Sequence, residues 1–208
     1  MGSVVSVNVA RIAEFRAGRA KRSAIVKSPV TGRVAVRGVN LEGDEQAERK
    51  HHGGPDQAVY AYARESYDWW ESELGRPLAA GTFGENLTLR GVDTDHALIG
   101  ETWAIGSTVL QVTAPRIPCL KLQARIGEPK FVKRFAAARR PGAYLRILEE
   151  GEVGAGDAVV VLERPGHGIT VADVNELYLF AHEGFARLIP ARDLLAERAR
   201  DWLDERVA

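Results

Sequence analysis

The chain has 208 residues and a mass of 22.7 kDa, which suits one ordinary domain or one domain with a small appendage. Its 28 basic residues balance 28 acidic ones, so it lacks the basic surplus of a general nucleic-acid-binding protein. No apolar run approaches the roughly 18 residues that span a bilayer, and residues 1–9 lack the features of a secretory signal. We therefore expect a cytoplasmic protein that binds neither nucleic acid nor membrane. The single cysteine, Cys119, excludes an intrachain disulfide and a Cys-rich zinc site.

The first two thirds of the chain alternate short apolar runs with glycine turns, which is typical of β-strands. The predicted strands cover residues 5–9, 24–26, 34–36, 59–62, 103–105, 108–112, 144–148 and 158–162. The second half of this region includes a hairpin around Gly106-Ser107. Helix-compatible composition covers residues 64–74, 119–126 and 130–139. Many short strands and few long helices favour a mainly β fold, a closed or nearly closed β-barrel with helical inserts.

A linker is predicted around Pro165, where one proline and two glycines fall within five residues. Beyond this point the apolar residues are spaced as in a helix. The chain shows no internal repeat. We therefore divide the chain into a β-barrel domain, residues 1–164, and a small all-α C-terminal appendage, residues 165–208.

The predicted C-terminal helices have recognisable start signals. Thr170 and Asp173 form a variant of the capping box, and Pro190 is expected to open the last helix. The expected apolar stripe of that helix is Leu194, Leu195, Trp202 and Leu203. Such a stripe needs a partner surface, because an amphipathic helix of this size is not stable alone.

Cys119 is the first candidate for chemistry. Pro115 and Pro118 stiffen the approach to it, and Pro118 suits a first helical turn, so Cys119 is expected at a helix N-terminus. There the helix dipole favours a thiolate, as do the nearby cations Arg116 and Lys121. A thiolate is a ligand for soft, thiophilic metals. The alternative is that Cys119 is a small buried hydrophobe.

A second candidate is the turn that contains His51, His52, Gly53 and Gly54. Adjacent glycines expose backbone N–H groups that can form an anion-binding nest. Neighbouring histidines in an extended segment point in opposite directions, so at most one faces a cavity. The alternative is a solvated turn.

Further polar residues lie next to predicted strands. Glu85 is a candidate general acid or the partner of a cavity arginine, and Asn86 is either a site residue or a turn cap. Arg146 shares a strand face with Tyr144 and is placed to bind a phosphate, unless it is an ordinary surface arginine. The polar turn at residues 43–47 carries the same ambiguity.

Taken in order, these segments resemble the MOSC domain family, the molybdenum cofactor sulfurase C-terminal domain. The resemblance is closest to its stand-alone bacterial branch, typified by the YiiM proteins, which carries a three-helix C-terminal appendage. The matching segments are residues 27–30, 40–47, 52–55, 83–88 and 115–122. One departure is Gln57, where this branch often has lysine.

The resemblance implies a β-barrel that holds the molybdopterin form of the molybdenum cofactor, with Cys119 as the molybdenum ligand. It implies reduction of N-hydroxylated bases and amines such as 6-hydroxylaminopurine, with electrons from a separate flavin-dependent reductase. The resemblance also implies pyridoxal phosphate binding as a property of the family. A homodimer is a further expectation. The expected catalytic residues are Cys119, His52 and Glu85. The expected cofactor contacts are Arg116, Arg146, Lys27, Gly53, Gly54, Asn86 and Lys121.

Three other classes stay open at this point. One is a sulfur carrier that uses a Cys119 persulfide to supply a metal cluster. Another is a non-catalytic carrier of the cofactor or of another phosphate-bearing ligand. A cysteine hydrolase would need a histidine base near Cys119, and only His51 or His52 is a plausible one.

Overall fold

The computed structural model describes residues 2–47, 53–181 and 183–207. Its strands are β1 (Gly2–Val9), β2 (Ala13–Ala17), β3 (Ala20–Ser23), β4 (Ser28–Pro29), β5 (Val34–Arg37), β6 (Asn40–Leu41), β7 (Val59–Ala63), β8 (Leu87–Arg90), β9 (Thr102–Ile105), β10 (Thr108–Pro115), β11 (Ala143–Glu149), β12 (Gly151–Val153) and β13 (Ala158–Glu163). Its α-helices are α1 (Arg64–Leu74), α2 (Leu120–Ile126), α3 (Phe131–Ala138), α4 (Val171–Leu179) and α5 (Glu197–Val207). Two 3-10 helices cover Pro55–Gln57 and Phe185–Leu194.

Seven of the described strands close into a barrel in the order β1, β13, β9, β10, β11, β7, β8 and back to β1. The closing pair is Gly2 with Val159, between β1 and β13. Neighbouring strands run antiparallel except β7 and β8, which are parallel because α1 connects them as a crossover. The short β4 extends the sheet at β1. The predicted β-barrel with helical inserts is therefore confirmed, including the hairpin at Gly106-Ser107.

The predicted strand at residues 24–26 is wrong. In this stretch the Lys27 N–H donates to the Ile25 carbonyl oxygen at 2.9 Å, which bends the chain between β3 and β4. The Ile25 N–H donates to the Ser23 hydroxyl at 3.2 Å instead of to a neighbouring strand. Apolar composition alone does not reveal that these local hydrogen bonds replace a ladder.

Two apolar cores hold the fold together. The first fills the barrel and includes Val4, Leu87, Trp103 and Leu145. The second is an aromatic cluster that packs α1, α2 and α3 against the outside of β7, and its fully buried rings are Tyr62, Tyr67, Trp70, Phe83, Phe131 and Phe135. Leu122 and Ile126 of α2 are buried in the second core. This anchoring fixes the start of α2, directly after Cys119.

The C-terminal helices pack on the barrel. Leu188, Leu195 and Leu203 belong to the same buried cluster as the barrel side chains, and the Ala196 N–H donates to the Thr113 carbonyl oxygen in β10 at 3.1 Å. The partner surface of the predicted apolar stripe is therefore the chain's own barrel. Residues on both sides of residue 165 share one core, so the structure does not separate two domains there. The boundary stays a prediction. None of the described helices has the length and apolar character needed to cross a bilayer.

The helix boundaries beyond residue 165 follow the predictions in part. The capping box is confirmed, since Thr170 and Asp173 exchange their side-chain and backbone hydrogen bonds at the start of α4. The prediction that Pro190 opens the last helix is wrong, because Pro190 lies inside the second 3-10 helix and α5 begins at Glu197. Leu195 between them is extended and buried. Packing of this side chain into the core therefore interrupts the helical pattern.

Candidate functional site

A pocket of about 110 Å³ opens beside the single thiol of the chain. Its wall includes six of the residues predicted from sequence: Lys27, Gly53, Asn86, Arg116, Cys119 and Lys121. These residues come from four separate stretches of the chain, and the barrel with its inserts brings them together. The pocket thus combines one thiol with several cationic side chains.

Cys119 is the N-cap residue of α2, as predicted. Its backbone is extended, and its carbonyl oxygen accepts hydrogen bonds from the N–H groups of Leu122 at 3.0 Å and Gln123 at 3.2 Å. The residue is partly exposed, whereas Leu122 behind it is fully buried. The thiol is therefore held at the pocket wall by a helix that is anchored through its buried residues Leu122 and Ile126, and it stays accessible to a ligand. No cluster of three or more His, Cys, Asp or Glu side chains in the described chain could hold a metal ion.

Arg116 carries a buried positive charge at the same wall, with only 5% of its surface exposed. Its guanidinium carbon lies 5.6 Å from the ring centres of both Tyr60 and Phe135. The Nη1 atom is buried and has no hydrogen-bond partner within the described ranges. Buried polar groups are normally satisfied, and a buried charge is costly unless it is paired. A buried guanidinium with one unsatisfied nitrogen at a pocket wall is typical of a binding site for an anion.

Lys27 and Asn86 are linked through Asp44. The Lys27 ammonium pairs with Asp44 Oδ1, and Asp44 Oδ2 accepts a hydrogen bond from Asn86 Nδ2 at 2.9 Å. Burial lowers the pKa of Lys27 from its ordinary value, and the Asp44 carboxylate opposes this shift. The charge of Lys27 is thus largely neutralised by its ion pair with Asp44 inside the pocket wall. The sequence signals for Asp44 are the polar turn at residues 43–47 and the matching segment at residues 40–47.

The predicted anion nest at Gly53 and Gly54 is not formed. The Gly53 N–H donates to Gln57 Oε1 at 3.1 Å, and the Gly54 N–H donates to Gln46 Oε1 at 2.9 Å. Two glutamine side chains therefore occupy the backbone donors that a phosphate would need. Gly53 is still required, because its φ is 144° and a Cβ there would lie 2.4 Å from Gln46 Oε1. The predicted catalytic residue His52 and its neighbour His51 lie outside the described residues.

Glu85 lies behind the pocket wall and does not line it. It is fully buried, and its Oε1 atom accepts hydrogen bonds from the Tyr67 hydroxyl at 2.5 Å, the Gly81 N–H at 2.7 Å and the Thr88 hydroxyl at 2.7 Å. Burial raises the pKa of Glu85. These contacts anchor the loop before β8, so its position does not support the predicted general-acid role.

Arg146 is not brought to this pocket. Its Nε atom lies 3.1 Å from Asp56 Oδ1, and its Nη2 atom donates to the carbonyl oxygens of Leu194 at 3.2 Å and Leu195 at 3.1 Å. Tyr144 lines the pocket. Arg146 is two residues further along β11, which displaces it from Tyr144 by about 7 Å along the strand. Arg146 therefore ties the C-terminal segment to the barrel and does not line this pocket, so its position does not support the predicted cofactor contact.

Comparisons with known proteins agree with this architecture. The MOSC domain model matches residues 48–160. The chain is 38% identical over 176 residues to the uncharacterized protein YflK of Bacillus subtilis, covering 84% of this chain and 80% of that protein. It is 31% identical over 210 residues to protein YiiM of Escherichia coli, covering 98% of this chain and 92% of that protein.

Other relatives extend the comparison. A protein of Gibberella moniliformis named reductase is 31% identical over 211 residues, which are 97% of this chain but 37% of that protein. The crystal structure of YiiM from Geobacillus stearothermophilus superposes with a TM-score of 0.83 at 29% identity and full coverage of both chains. These comparisons give pyridoxal phosphate binding no support. With its barrel, its C-terminal helices and this matched sequence, the chain belongs to the MOSC domain family, in the branch of the YiiM proteins.

Proposed function

We propose that this protein is a molybdenum-cofactor-dependent reductase of N-hydroxylated bases and amines, with 6-hydroxylaminopurine as a model substrate. The observation that carries the proposal is that Cys119 and Arg116, whose Nη1 atom is buried and has no hydrogen-bond partner among the described residues, line the same pocket. Membership of the MOSC family supports a role connected with the molybdenum cofactor. A relative that is named reductase supports oxidoreductase activity.

The residues that line the cationic pocket fit the phosphate and the metal of this cofactor. Its pterin part carries a phosphate, for which Arg116 offers a charged donor that is already desolvated, and Lys121 adds a second cation on the same wall. Molybdenum takes soft ligands, and Cys119 offers one partly exposed thiol. When bound, the cofactor supplies the two electrons that ordinary side chains cannot store.

The overall reaction is balanced by two electrons and two protons. The N–O bond of R–NHOH breaks, the nitrogen is reduced to R–NH₂, and the oxygen leaves as water. In this proposal the electrons come from a separate flavin-dependent reductase, and the protein works in the cytoplasm, as a monomer or a homodimer. The tasks of this chain are to hold the phosphate at Arg116, to offer the Cys119 thiolate, and to keep the adjacent space free for substrate.

The sulfur carrier and the cofactor carrier use the same residues and are separated by experiment. A persulfide on Cys119 needs only an accessible thiol, which the partial exposure of Cys119 provides. The cysteine hydrolase would need His51 or His52, which lie outside the described residues, so no structural observation favours it.

Elemental analysis after anaerobic purification from a host that makes the cofactor tests the proposal. We expect stoichiometric molybdenum, together with reduction of 6-hydroxylaminopurine by an artificial electron donor. A cyanide-labile sulfur without molybdenum would instead identify the sulfur carrier. Molybdenum without turnover of any N-hydroxylated compound would identify the cofactor carrier, and either result would overturn the reductase.

A further inference from the structure

We propose that a second, apolar cavity next to Cys119 binds the ring of an aromatic N-hydroxylated substrate, and that Tyr178 of α4 determines specificity there. The inference rests on the proposed function, and it assigns a substrate subsite to the C-terminal helices. The cavity has a volume of about 130 Å³. It lies between the end of β10 and the helices α4 and α5.

The two cavities meet at the thiol. Gln57, Cys119 and Tyr144 line both the cationic pocket and the apolar cavity. A group held at Cys119 therefore faces both spaces. One space offers charged side chains, and the other offers mainly apolar ones.

The two walls differ in chemistry, so each wall suits a different group of the bound molecules. The apolar cavity is lined by Ile117, Pro118, Val174, Tyr178 and Ala199 together with further alanine and proline side chains, and Gln57 and Arg198 are its polar exceptions. Arg198 is the one charged side chain among the described residues of this wall, whereas the cationic pocket offers Arg116 and Lys121 to an anionic phosphate. The phosphate-bearing cofactor thus belongs in the cationic pocket, and the apolar part of a substrate belongs in the second cavity.

The size and shape of the cavity favour one aromatic ring. An apolar cavity of about 150 Å³ in another protein holds a benzene molecule, and the present volume of about 130 Å³ is close to it. Tyr144, Tyr178, Pro115 and Pro118 contribute flat faces to the wall. Aromatic rings pack favourably against such faces.

Tyr178 is the aromatic wall that comes from the C-terminal helices. Its ring centre lies 4.9 Å from that of Trp202 in α5, and Trp202 in turn contacts Phe185 edge-on at 5.3 Å. Tyr178 is therefore held in place by a neighbour that does not itself line the cavity. Phe185 offers a control, since it contacts Trp202 in the same helical region but does not line the apolar cavity.

The experiment compares two acceptors in the cofactor-loaded, full-length protein. Phenylhydroxylamine and N-methylhydroxylamine each take two electrons from the artificial donor and two protons, giving aniline or methylamine and one water. The variants are Tyr178→Ala, Ala199→Phe and Phe185→Ala. Binding of aniline, which is not reduced, is followed by NMR titration as a readout that is independent of turnover.

We expect Tyr178→Ala and Ala199→Phe to lower the ratio of kcat/KM for the phenyl over the methyl compound by about tenfold. We expect both to weaken aniline binding, with molybdenum content as in the wild type. Phe185→Ala should keep the wild-type ratio. If Tyr178→Ala and Ala199→Phe retain the wild-type ratio and aniline affinity, the inference is wrong. A wild-type protein that reduces neither compound, nor 6-hydroxylaminopurine, would refute the proposed function itself, whatever the aniline titration shows.

Discussion

Arg116 lies with its guanidinium over the ring of Tyr60, and 5.6 Å separates the guanidinium carbon from the ring centre. Two hydrogen bonds hold Tyr60 in place. Its hydroxyl donates to the Pro141 carbonyl oxygen at 2.8 Å, and its backbone N–H donates to Asn86 Oδ1 at 3.1 Å. A desolvated cation–π contact contributes about 2 kcal/mol. It offsets part of the cost of burying the charge and leaves donors of the guanidinium for an anion.

Replacing Arg116 tests its role in holding the cofactor. Arg116→Gln removes a charge-assisted contact worth about 1.5–3 kcal/mol, so cofactor retention should fall by roughly ten- to a hundredfold. The measurement is molybdenum content after gel filtration of anaerobically purified protein. Arg146→Gln is the matched control, because Arg146 faces the C-terminal segment and not the pocket. Equal retention in the two variants would remove Arg116 from the cofactor site.

Arg146 has a structural role that predicts a different defect. Arg146→Gln loses the contact with Asp56 and the hydrogen bonds to the carbonyl oxygens of Leu194 and Leu195. We expect the free energy of unfolding to fall by about 1–3 kcal/mol, as measured by urea denaturation, while molybdenum retention in the folded protein stays normal. Selective loss of molybdenum without loss of stability would return Arg146 to the cofactor site.

Asp95 makes stability depend on pH. Burial raises the pKa of Asp95 to about 6, and Asp95 Oδ1 accepts a hydrogen bond from the Gly142 N–H at 2.8 Å. Because its pKa in the folded state is above the unfolded value, the protonated form stabilises the fold at low pH. This contribution is lost as the pH rises through about 6.

An asparagine at this position keeps the acceptor but does not titrate. Asp95→Asn should therefore gain up to about 3 kcal/mol relative to the wild type between pH 4 and pH 8. Urea unfolding of both proteins at the two pH values measures this difference. A difference of zero would show that Asp95 titrates as it does in the unfolded chain.

The C-terminal helices stabilise the barrel through their buried leucines. Leu203 of α5 is fully buried in the main core, and Leu203→Ala should cost about 2–5 kcal/mol. Leu162 is 57% exposed, so Leu162→Ala should change stability by less than about 0.5 kcal/mol.

A chain ending at Pro165 should lose solubility, because it lacks these buried leucines and exposes the barrel surface that they cover. If it stays soluble and fails only with its natural reductase as electron donor, the helices are a docking site instead.

The sequence predicts well those features that depend on local pattern. Helix α1 begins and ends at the predicted residues, and the hairpin at Gly106-Ser107 and the capping box at Thr170 follow from short-range hydrogen bonding. The position of Cys119 at the start of α2 follows from Pro118. Each of these depends on residues within one turn or one strand pair.

Features that depend on distant partners could not be predicted in this way. The glutamines that occupy the Gly53 and Gly54 donors become partners only when the loop folds onto itself. Arg146 and Asp56 are 90 positions apart in the sequence, and a strand pattern does not show that they meet. The second cavity is formed by residues of β10, α4 and α5 together, so no single segment carries a signal for it.

The central claim is that the Cys119 thiolate is a molybdenum ligand. X-ray absorption spectroscopy of the cofactor-loaded protein counts the sulfur atoms around molybdenum directly. The account predicts one sulfur ligand fewer in Cys119→Ser than in the wild type, together with loss of N–O reduction, because a hydroxyl is a poor substitute for a thiolate. An unchanged sulfur count with full molybdenum occupancy and an unchanged rate would contradict it.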